Sequence, residues 1–254
     1  MSRIFVSGSA DGLGLLAARA LAAQGHRVTL HARTESRADD ARKALPEADA
    51  VVVGDVSSIA ATRDVAAQVN ALGRHDAVIH NVAVGYQEPR RIETVDGLSH
   101  LFAVNVLAPY LLTALITRPD RLVYLSSGMH RGGRADLHDP QWTERRWNGS
   151  RAYSESKLYD LMLARAVARR WPGVPSNAVD PGWVPTRMGG PGAPDDLTEG
   201  AATQAGLAVT DDETTGRYFY HRTPHPALAT TEDSEDALLA YCADLTGAAF
   251  PGGR

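Results

Sequence analysis

Near its start the chain reads Ile4-Phe5-Val6-Ser7-Gly8-Ser9-Ala10-Asp11-Gly12-Leu13-Gly14, a short apolar run followed by a turn with three glycines. The apolar run predicts a buried strand, and apolar residues at helical spacing from Leu13 to Leu21 predict that a helix follows it. Glycines in such a turn let the backbone approach a pyrophosphate, which then binds at the N-terminus of the helix. The spacing is Gly-x-x-x-Gly-x-Gly, and a plain structural turn is the alternative interpretation.

Strand and helix patterns alternate through most of the sequence. Continuous apolar runs predict strands that are covered on both faces, at residues 4–7, 27–32, 50–54, 77–80, 122–126 and 176–179. Helical spacing follows the first strand and recurs at residues 57–72, 98–116 and 151–171. This order predicts an α/β fold, a single-domain, Rossmann-type, doubly wound parallel sheet with helices on both faces, over residues 1–254.

Two long segments, residues 128–150 and 181–200, interrupt the pattern. Each follows the carboxyl end of a predicted strand, the edge at which open α/β sheets bind ligands. Segments of this length in a compact domain are usually functional or disordered, and we expect both to be substrate loops. Trp142 and Trp147 in the first segment either shape a substrate pocket, the interpretation we favour, or pin the loop to the sheet.

The composition narrows the class of protein. The 254 residues are 44% apolar and give a formal net charge of −4, which offers no electrostatic reason to bind nucleic acid. Cys242 is the one cysteine, which excludes an internal disulfide. The chain enters a predicted strand at once, leaving no room for a signal peptide, and no apolar run approaches the roughly 18 residues of a membrane span. We therefore expect a cytoplasmic protein with neither a membrane nor a nucleic-acid partner.

Lysine is rare in this chain, because only Lys43 and Lys157 of the 26 basic residues are Lys. Lys157 follows Tyr153 by four residues, so that on a helix the two side chains share one face. A neighbouring cation favours the ionised phenol and suits it to act as an acid or base near working pH. A chance pairing is the alternative.

The ends of the second and third predicted strands hold candidate cofactor contacts. Arg33 could pair with a 2′-phosphate, which favours NADP over NAD. A solvated arginine is the alternative, and Glu35 is close enough to be a rival ribose ligand. Asp55, with Val56 after it, could contact an adenine edge or cap the helix that follows.

Two other arrangements do not predict sites. His221 and His225 are four residues apart, but neighbouring prolines exclude a helix between them and no cysteine or acidic cluster completes a metal site, so we expect no metal. Ser127 with His130 nearby could suggest a hydrolase, but the chain contains no Gly-x-Ser-x-Gly elbow.

Taken in chain order, these and further residues resemble the motifs of the short-chain dehydrogenase/reductase family over nearly the whole length. The matching motifs are Gly8–Gly14, Asp55, Asn81-Val82-Ala83, Asn105, Ser126-Ser127, Tyr153-x-x-x-Lys157 and Asp180-Pro181-Gly182. Any one of them is common, whereas the ordered set is specific. The long segment between Ser127 and Tyr153 and its Ser-Ser-Gly-Met-His start resemble the retinol-dehydrogenase-like branch.

The resemblance implies catalytic and cofactor-binding roles. Tyr153 would donate a proton to a carbonyl oxygen or accept it from an alcohol, and Lys157 would lower the pKa of Tyr153. Ser127 would bind the substrate oxygen, and Asn105 would support Lys157 through a water. The implied cofactor contacts are Gly8, Ser9, Asp11, Gly12, Leu13, Gly14, Arg33, Asp55, Val56, Asn81, Ala83, Tyr153, Lys157, Pro181, Gly182, Val184 and Thr186.

Three departures from the family pattern affect the cofactor side. Ser7 replaces the usual Thr but keeps the hydroxyl. Asn81-Val82-Ala83-Val84 replaces Asn-Asn-Ala-Gly, which puts the local backbone geometry in doubt. Asp11 replaces a residue that is often basic in members that use NADP, so Arg33 would recognise the 2′-phosphate with little help.

The resemblance therefore implies an oxidoreductase that interconverts a ketone or aldehyde and the corresponding alcohol, and Arg33 favours NADP(H) as its cofactor. The Trp, Met and Leu content of the candidate substrate loops favours a small, partly apolar substrate. The alternative is an NADP-binding regulator or scaffold without turnover, although such members usually lose the Tyr or the Lys. A sugar-nucleotide epimerase or dehydratase would need a longer C-terminal part than the about 70 residues after Gly182. The family also suggests a homodimer or homotetramer formed through the helices at 98–116 and 151–171.

Overall fold

A computed structural model describes residues 1–252 and contains one eight-stranded sheet. The strand order is β3-β2-β1-β4-β5-β6-β7-β8, and every neighbouring pair is parallel except β7 with β8. The strands are β1 (Arg3–Val6), β2 (Arg27–Ala32), β3 (Ala50–Val53), β4 (Ala77–His80), β5 (Arg121–Leu125), β6 (Ser176–Asp180), β7 (Tyr218–Tyr220) and β8 (Thr223–His225). The sheet reverses its direction of growth between β1 and β4, the type of point at which such folds bind ligands.

Helices cover both faces of the sheet. They are α1 (Gly12–Ala23), α2 (Glu35–Ala44), α3 (Ile59–Ala71), α4 (His100–Phe102), α5 (Ala108–Leu115), α6 (Gly149–Arg170), α7 (Leu197–Val209) and α8 (Glu232–Thr246). A π-helical segment, Ala103–Leu107, joins α4 to α5, and a 3₁₀ helix, Gly128–Gly132, follows β5. The predicted doubly wound α/β fold is confirmed.

Alternate strand residues divide the core into two layers, because successive side chains of a strand point to opposite faces. Ile4 and Val6 pack with α1, α2 and α7 on one face. Phe5 packs with α3, α5, α6 and α8 on the other face. The continuous apolar strands predicted from the sequence result from this double coverage.

The sequence patterns located six strands to within one residue and missed the elements that lack apolar periodicity. Helix α2 buries Ala38 and Ala41 but otherwise presents polar residues, so it shows little apolar periodicity. Strands β7 and β8 have three residues each and form an antiparallel hairpin. The predicted segment 181–200 ends within α7, and 128–150 contains the 3₁₀ helix and the first residues of α6. His221 lies at the hairpin turn and His225 in β8, which agrees with the absence of a helix between them.

The two long helices proposed as an oligomer interface are covered within the chain itself. Helix α6 is buried along most of its length, and Leu238, Leu239 and Cys242 of α8 belong to the same core as its apolar side chains. The Tyr110 hydroxyl of α5 donates to the Ala248 carbonyl at 2.7 Å. The oligomeric state, and an interface through these two helices, stay predictions. Within residues 1–252, no helix is both long and apolar enough to cross a membrane.

Candidate functional site

The glycine-rich turn lies between β1 and α1, as the sequence predicts. Gly8 has a φ of +62°, and a Cβ there would lie 2.8 Å from the Cα of Val82. A Cβ at Gly14 would lie 2.4 Å from Asn81 Nδ2 and 2.5 Å from the Gly8 carbonyl oxygen. By contrast, a Cβ at Gly12 would meet nothing within 4 Å, so the turn is open on the side of the helix N-terminus. Such an open, glycine-lined helix N-terminus fits a pyrophosphate.

Buried polar side chains of neighbouring strands form hydrogen bonds to this turn. The ring of His31 accepts a hydrogen bond from Gly8 N at Nδ1 (2.9 Å), and its Nε2 bonds to the Gly54 carbonyl (2.9 Å). Because Nδ1 accepts, the proton lies on Nε2, which donates to Gly54. Burial lowers the pKa of His31 and keeps the ring neutral. His31 was not predicted as a site residue, although an imidazole inside an apolar strand was a visible signal.

Asn81, predicted as a cofactor contact, braces the turn in this structure. Its Nδ2 donates to the carbonyls of Ser7 (3.1 Å) and Gly8 (2.9 Å). The Ser7 hydroxyl in turn accepts from the backbone N–H groups of Asn81 and Val82 at 3.0 and 3.1 Å. Gln204 of α7 donates to Asn81 Oδ1 at 3.3 Å. The missing second Asn and Gly of the family pattern therefore leave the tie between β1 and β4 intact.

Charged side chains lie beside the turn at the same edge of the sheet. Arg33 and Asp55 are exposed there, directly after β2 and β3. Asp11 accepts from Arg37 at 2.6 Å and does not cap α1. Asp55 does not cap α3 either, because Ser58 does so and Asp55 instead accepts from Ser57 N at 3.0 Å. The capping interpretation of Asp55 is thus wrong, and Arg37 is a cation near the turn that the sequence analysis missed.

Tyr153 and Lys157 lie on one face of α6, with Lys157 Nζ 5.7 Å from the centre of the Tyr153 ring. Ser127 follows β5, accepts from Met129 N at 3.2 Å and so begins the 3₁₀ helix. Burial raises the pKa of the Tyr153 phenol. The Lys157 charge lowers that pKa, the nearby Asp160 charge raises it, and the Ser127 side chain lowers it. The structure therefore brings together the Ser, Tyr and Lys that the sequence singled out.

Lys157 has a carboxylate neighbour that the sequence analysis missed. Its ammonium donates to Asp160 Oδ2 at 2.8 Å and to the Leu125 carbonyl at 2.7 Å. Both side chains of this ion pair are almost completely buried, with 2% and 3% exposure. The spacing of three residues on a helix was the available signal.

Asn105 lies within the π-helical segment, an irregularity that often marks functional sites. Its side chain bonds to both backbone groups of Val84, at 2.8 Å to the N–H and 3.1 Å to the carbonyl. Asn105 Nδ2 also donates to the Ser156 hydroxyl at 3.0 Å. Asn105 thus links the segment after β4 to the residue beside Lys157. The water-mediated relay to Lys157 stays a prediction.

His130 supports the serine segment through the backbone. Its Nδ1 bonds to the Ser127 carbonyl at 2.7 Å, and its Nε2 accepts from Leu228 N at 3.2 Å. The imidazole therefore donates from Nδ1 to a carbonyl and does not contact the Ser127 hydroxyl in this way. This geometry does not match a hydrolase in which His130 activates Ser127.

A small apolar cluster adjoins Tyr153 and forms a wall of the candidate substrate site. The Tyr86 ring packs edge-on against the Tyr153 ring, with centroids 5.7 Å apart. A Cβ at Gly85 would lie 2.8 Å from Met188 Cγ, so the segments after β4 and β6 meet here. The other side chains of the cluster are Val84, Leu101, Met129, Trp142, Trp147 and Ala152.

The two tryptophans fasten the segment between β5 and α6. Trp142 is buried, donates from Nε1 to Glu155 at 2.9 Å and lies under the Arg145 guanidinium at 3.9 Å. Trp147 donates from Nε1 to the Glu88 carbonyl at 2.9 Å. The structure thus shows Trp142 fastening the segment to α6, and because Trp142 also belongs to the apolar cluster at Tyr153, its role in a substrate pocket stays a prediction. Trp147, which is partly exposed, both pins the segment and contributes to the apolar wall.

The segment after β6 is held by Asp180. Its Oδ1 accepts from Gly182 N at 2.9 Å, and its Oδ2 accepts from the Tyr218 hydroxyl at 2.7 Å. Gly182 has a φ of +80°, a conformation that favours glycine. Val184 is buried, whereas Thr186 accepts from Gly189 N at 3.1 Å and turns the segment back toward α7. Pro181 to Thr186 therefore line the same sheet edge as Ser127.

Comparisons with known proteins agree with this architecture. A family model described as short chain dehydrogenase matches residues 2–196. An uncharacterized oxidoreductase of Emericella nidulans is 42% identical over 267 residues, covering 100% of both chains. The short-chain dehydrogenase chyC of Penicillium rubens is 39% identical, covering 99% of this chain and 100% of its own. Human retinol dehydrogenase 13 is 28% identical, covering 98% of this chain and 76% of its own.

Solved structures share the fold. An uncharacterized protein from Mycobacterium paratuberculosis superposes with a TM-score of 0.83 at 25% identity, covering 99% of this chain and 95% of that one. A blue fluorescent protein from a metagenomic library, solved in complex with NADPH, gives a TM-score of 0.69 at 22% identity, covering 86% and 95%. At that identity the second likeness shows the fold alone.

Proposed function

This chain belongs to the short-chain dehydrogenase family of oxidoreductases, which act on CH–OH and C=O groups, and from that premise we propose that it is an NADP(H)-dependent carbonyl reductase or alcohol dehydrogenase. Tyr153 acts as the proton donor or acceptor. The observation that supports this most directly is the grouping of Ser127, Tyr153 and Lys157 beside the glycine-rich edge of the sheet.

In the proposed reaction, the hydride and the proton come from different groups. A nicotinamide cofactor bound at the glycine-rich turn would supply or take the hydride. The Tyr153 hydroxyl gives its proton to the carbonyl oxygen during reduction and recovers it from the alcohol during oxidation. Ser127 holds that oxygen and stabilises the charge that develops on it. Lys157 stabilises the phenolate that Tyr153 becomes after proton transfer.

We assign the preference for NADP to Arg33. It is exposed at the end of β2, next to the turn that fits the pyrophosphate, and a guanidinium can bind a phosphate bidentately. Arg37, which pairs with Asp11 at 2.6 Å, offsets the negative charge that would otherwise oppose a 2′-phosphate. NADPH in the metagenomic blue fluorescent protein supports the suitability of this fold for the cofactor.

The substrate is a partly apolar carbonyl compound or alcohol. The apolar cluster that contains Tyr153 includes Tyr86, Met129, Trp147 and Met188, which offer aromatic and thioether surface. Flexible Met side chains adapt to irregular apolar shapes. Retinol dehydrogenase 13, a relative by sequence, is named for an apolar alcohol, which supports the same class.

A parallel titration with NADPH and NADH, followed by nicotinamide fluorescence, tests the cofactor assignment. Clear preference for NADPH is the expected result, and preference for NADH would remove the role given to Arg33. A panel of apolar ketones and aldehydes is then screened for NADPH oxidation. Tyr153→Phe should lose turnover by several orders of magnitude while binding NADPH nearly as before.

Tyr110→Phe is the matched control, because it removes a buried phenol that bonds to the Ala248 carbonyl away from the site. This variant should keep turnover. Turnover retained by Tyr153→Phe would overturn the mechanism. Cofactor binding without turnover of any panel compound would instead favour a regulator or scaffold.

A further inference from the structure

Asp160, the partner of Lys157 in a buried ion pair, is a charged group that the proposed reaction does not use. The Lys157 ammonium has two acceptors, Asp160 Oδ2 at 2.8 Å and the Leu125 carbonyl at 2.7 Å. One acceptor lies on the same helix and the other at the end of β5, two residues before Ser127. Together they direct the ammonium to one place between α6 and the sheet.

Stability alone gives little reason to bury these charges. Desolvating two ions costs free energy that their attraction only partly repays, and apolar residues of similar size often serve a core as well or better. Burial raises the pKa of the Asp160 carboxyl to about 7, and Lys157 opposes that rise. A carboxylate in so unfavourable a place, bonded to the lysine of the acid/base pair, indicates a role in the reaction.

The titratable groups around Asp160 are those whose pKa values its charge can change. On α6 they are Lys157 and Tyr153, and on β5 the Tyr124 hydroxyl, whose pKa the Asp160 charge raises. Tyr124 bonds at 2.6 Å to Thr113 of α5 and is thereby held on its other side. Asp180 at the end of β6 also raises the pKa of Tyr153, less than Asp160 does. Asp160 is thus the main negative charge acting on the Tyr153 phenol.

We propose that Asp160 is a positioning residue that holds the Lys157 ammonium against the Leu125 carbonyl and offsets its charge, so that Tyr153 keeps the proton with which carbonyl reduction begins. This inference rests on the acid/base role proposed above for Tyr153. Carbonyl reduction needs the protonated phenol, whereas Lys157 alone would draw the phenol toward its ionised form. Asp160 limits that effect while leaving Lys157 in place to stabilise the phenolate after transfer.

The rarity of lysine makes the ion pair directly observable. With ¹⁵N-labelled lysine, the protein gives signals from Lys43 and Lys157 alone. A buried ammonium with two fixed acceptors exchanges its protons slowly, so we expect a protected Nζ signal for Lys157 and none for exposed Lys43. The signal should be lost or shifted in Asp160→Asn. A protein without a protected lysine signal would overturn the proposal, whether or not a substrate is known.

The pH profile of carbonyl reduction, with saturating NADPH and substrate, tests the consequence. In Asp160→Asn the alkaline limb of kcat should move to lower pH by about one unit, the order of magnitude expected when one nearby charge is removed in a medium of intermediate dielectric. Asp160→Glu, which restores the charge, should return the limb toward that of the unaltered protein. An unmoved or raised limb in Asp160→Asn would overturn the proposal.

Asp236→Asn is the matched control. It removes the same charge from a carboxylate that pairs with Arg169 at the far end of α6, and it should leave the limb unmoved. A shift of equal size in this control would also overturn the proposal, because it would reflect net charge alone. Circular dichroism and NADPH titration of each variant show that the fold is retained. An absence of turnover in the unaltered protein would contradict the proposed function, and the lysine signal would still decide whether the pair forms.

Discussion

The ring of His31 accepts a hydrogen bond from the backbone N–H of Gly8, at 2.9 Å, and so ties the second strand to the glycine-rich turn. The same ring reaches the Gly54 carbonyl at the end of β3, also at 2.9 Å. One buried side chain therefore aligns the ends of three neighbouring strands at the cofactor edge. The hydrogen bonds that it makes are available only to a neutral imidazole.

Replacing His31 should damage both stability and cofactor binding. His31→Ala leaves the Gly8 N–H and the Gly54 carbonyl without their partner, and each buried orphan group costs about 1–3 kcal/mol. We expect a lower melting temperature and a weaker NADPH affinity in a fluorescence titration. His26→Ala is the control, because His26 accepts a single bond from Ser2 N near the surface. Equal behaviour of the two variants would argue against the bracing role.

Arg33→Ala should distinguish the two nicotinamide cofactors. Loss of a charge-assisted bond to the 2′-phosphate should weaken NADPH binding about tenfold, while NADH, which lacks that phosphate, binds as before. Arg42→Ala removes an equal charge further along α2, where Arg42 pairs with Asp39, and should affect neither. Equal losses for both cofactors in Arg33→Ala would mean that Arg33 does not read the phosphate.

Gly14→Ala should distort the turn because its methyl group would lie within 2.5 Å of the Gly8 carbonyl and Asn81 Nδ2. Relief of this clash requires movement of the backbone proposed to bind the pyrophosphate, so we expect at least a tenfold weaker NADPH affinity. Gly206→Ala in α7 is the matched control, since a Cβ there meets nothing within 4 Å. It should stabilise the helix by up to about 1 kcal/mol. A fully functional Gly14→Ala variant would contradict this geometry.

Buried histidines should make the protein less stable in mild acid. Burial lowers the pKa of His31 and His130, of His75 to about 4 and of His80 to about 3. The unfolded chain gains protons below about pH 6.5 that the folded chain does not, so stability present above that pH is lost as the pH falls.

Asp160, whose pKa is raised to about 7, acts in the opposite direction because the folded chain binds its proton first. The four imidazoles together change the free energy of unfolding more than the one carboxyl does. We therefore expect the free energy of unfolding in urea to be about 2 kcal/mol lower at pH 5 than at pH 7.5. Equal values at the two pH values would contradict the neutral, buried state of these rings.

Local patterns in the sequence were sufficient to predict the strands and the positions of the main candidate site residues. Apolar runs located six strands, and the turn at Gly8–Gly14 and the pair Tyr153 and Lys157 fell where the structure has them. These predictions rest on periodicity and short spacing, which the backbone geometry of strands and helices translates directly into position. Helix α2 and the hairpin of β7 and β8 were missed because their few buried residues leave no such period.

The sequence by itself thus determined the alternation of strands and helices and predicted both the edge for ligands and the residues proposed to exchange a proton. Only the tertiary structure decided what each of these residues touches. His31 bonds to the glycine-rich turn from 23 residues away, and Asn81 bonds to the same turn from more than 70 residues away. Helix α8 shares a core with α6, about 70 residues before it. Even Asp160, three residues from Lys157, becomes a counter-ion only because both side chains are buried against β5. Such contacts depend on burial and on distances across the sheet, which no local spacing encodes.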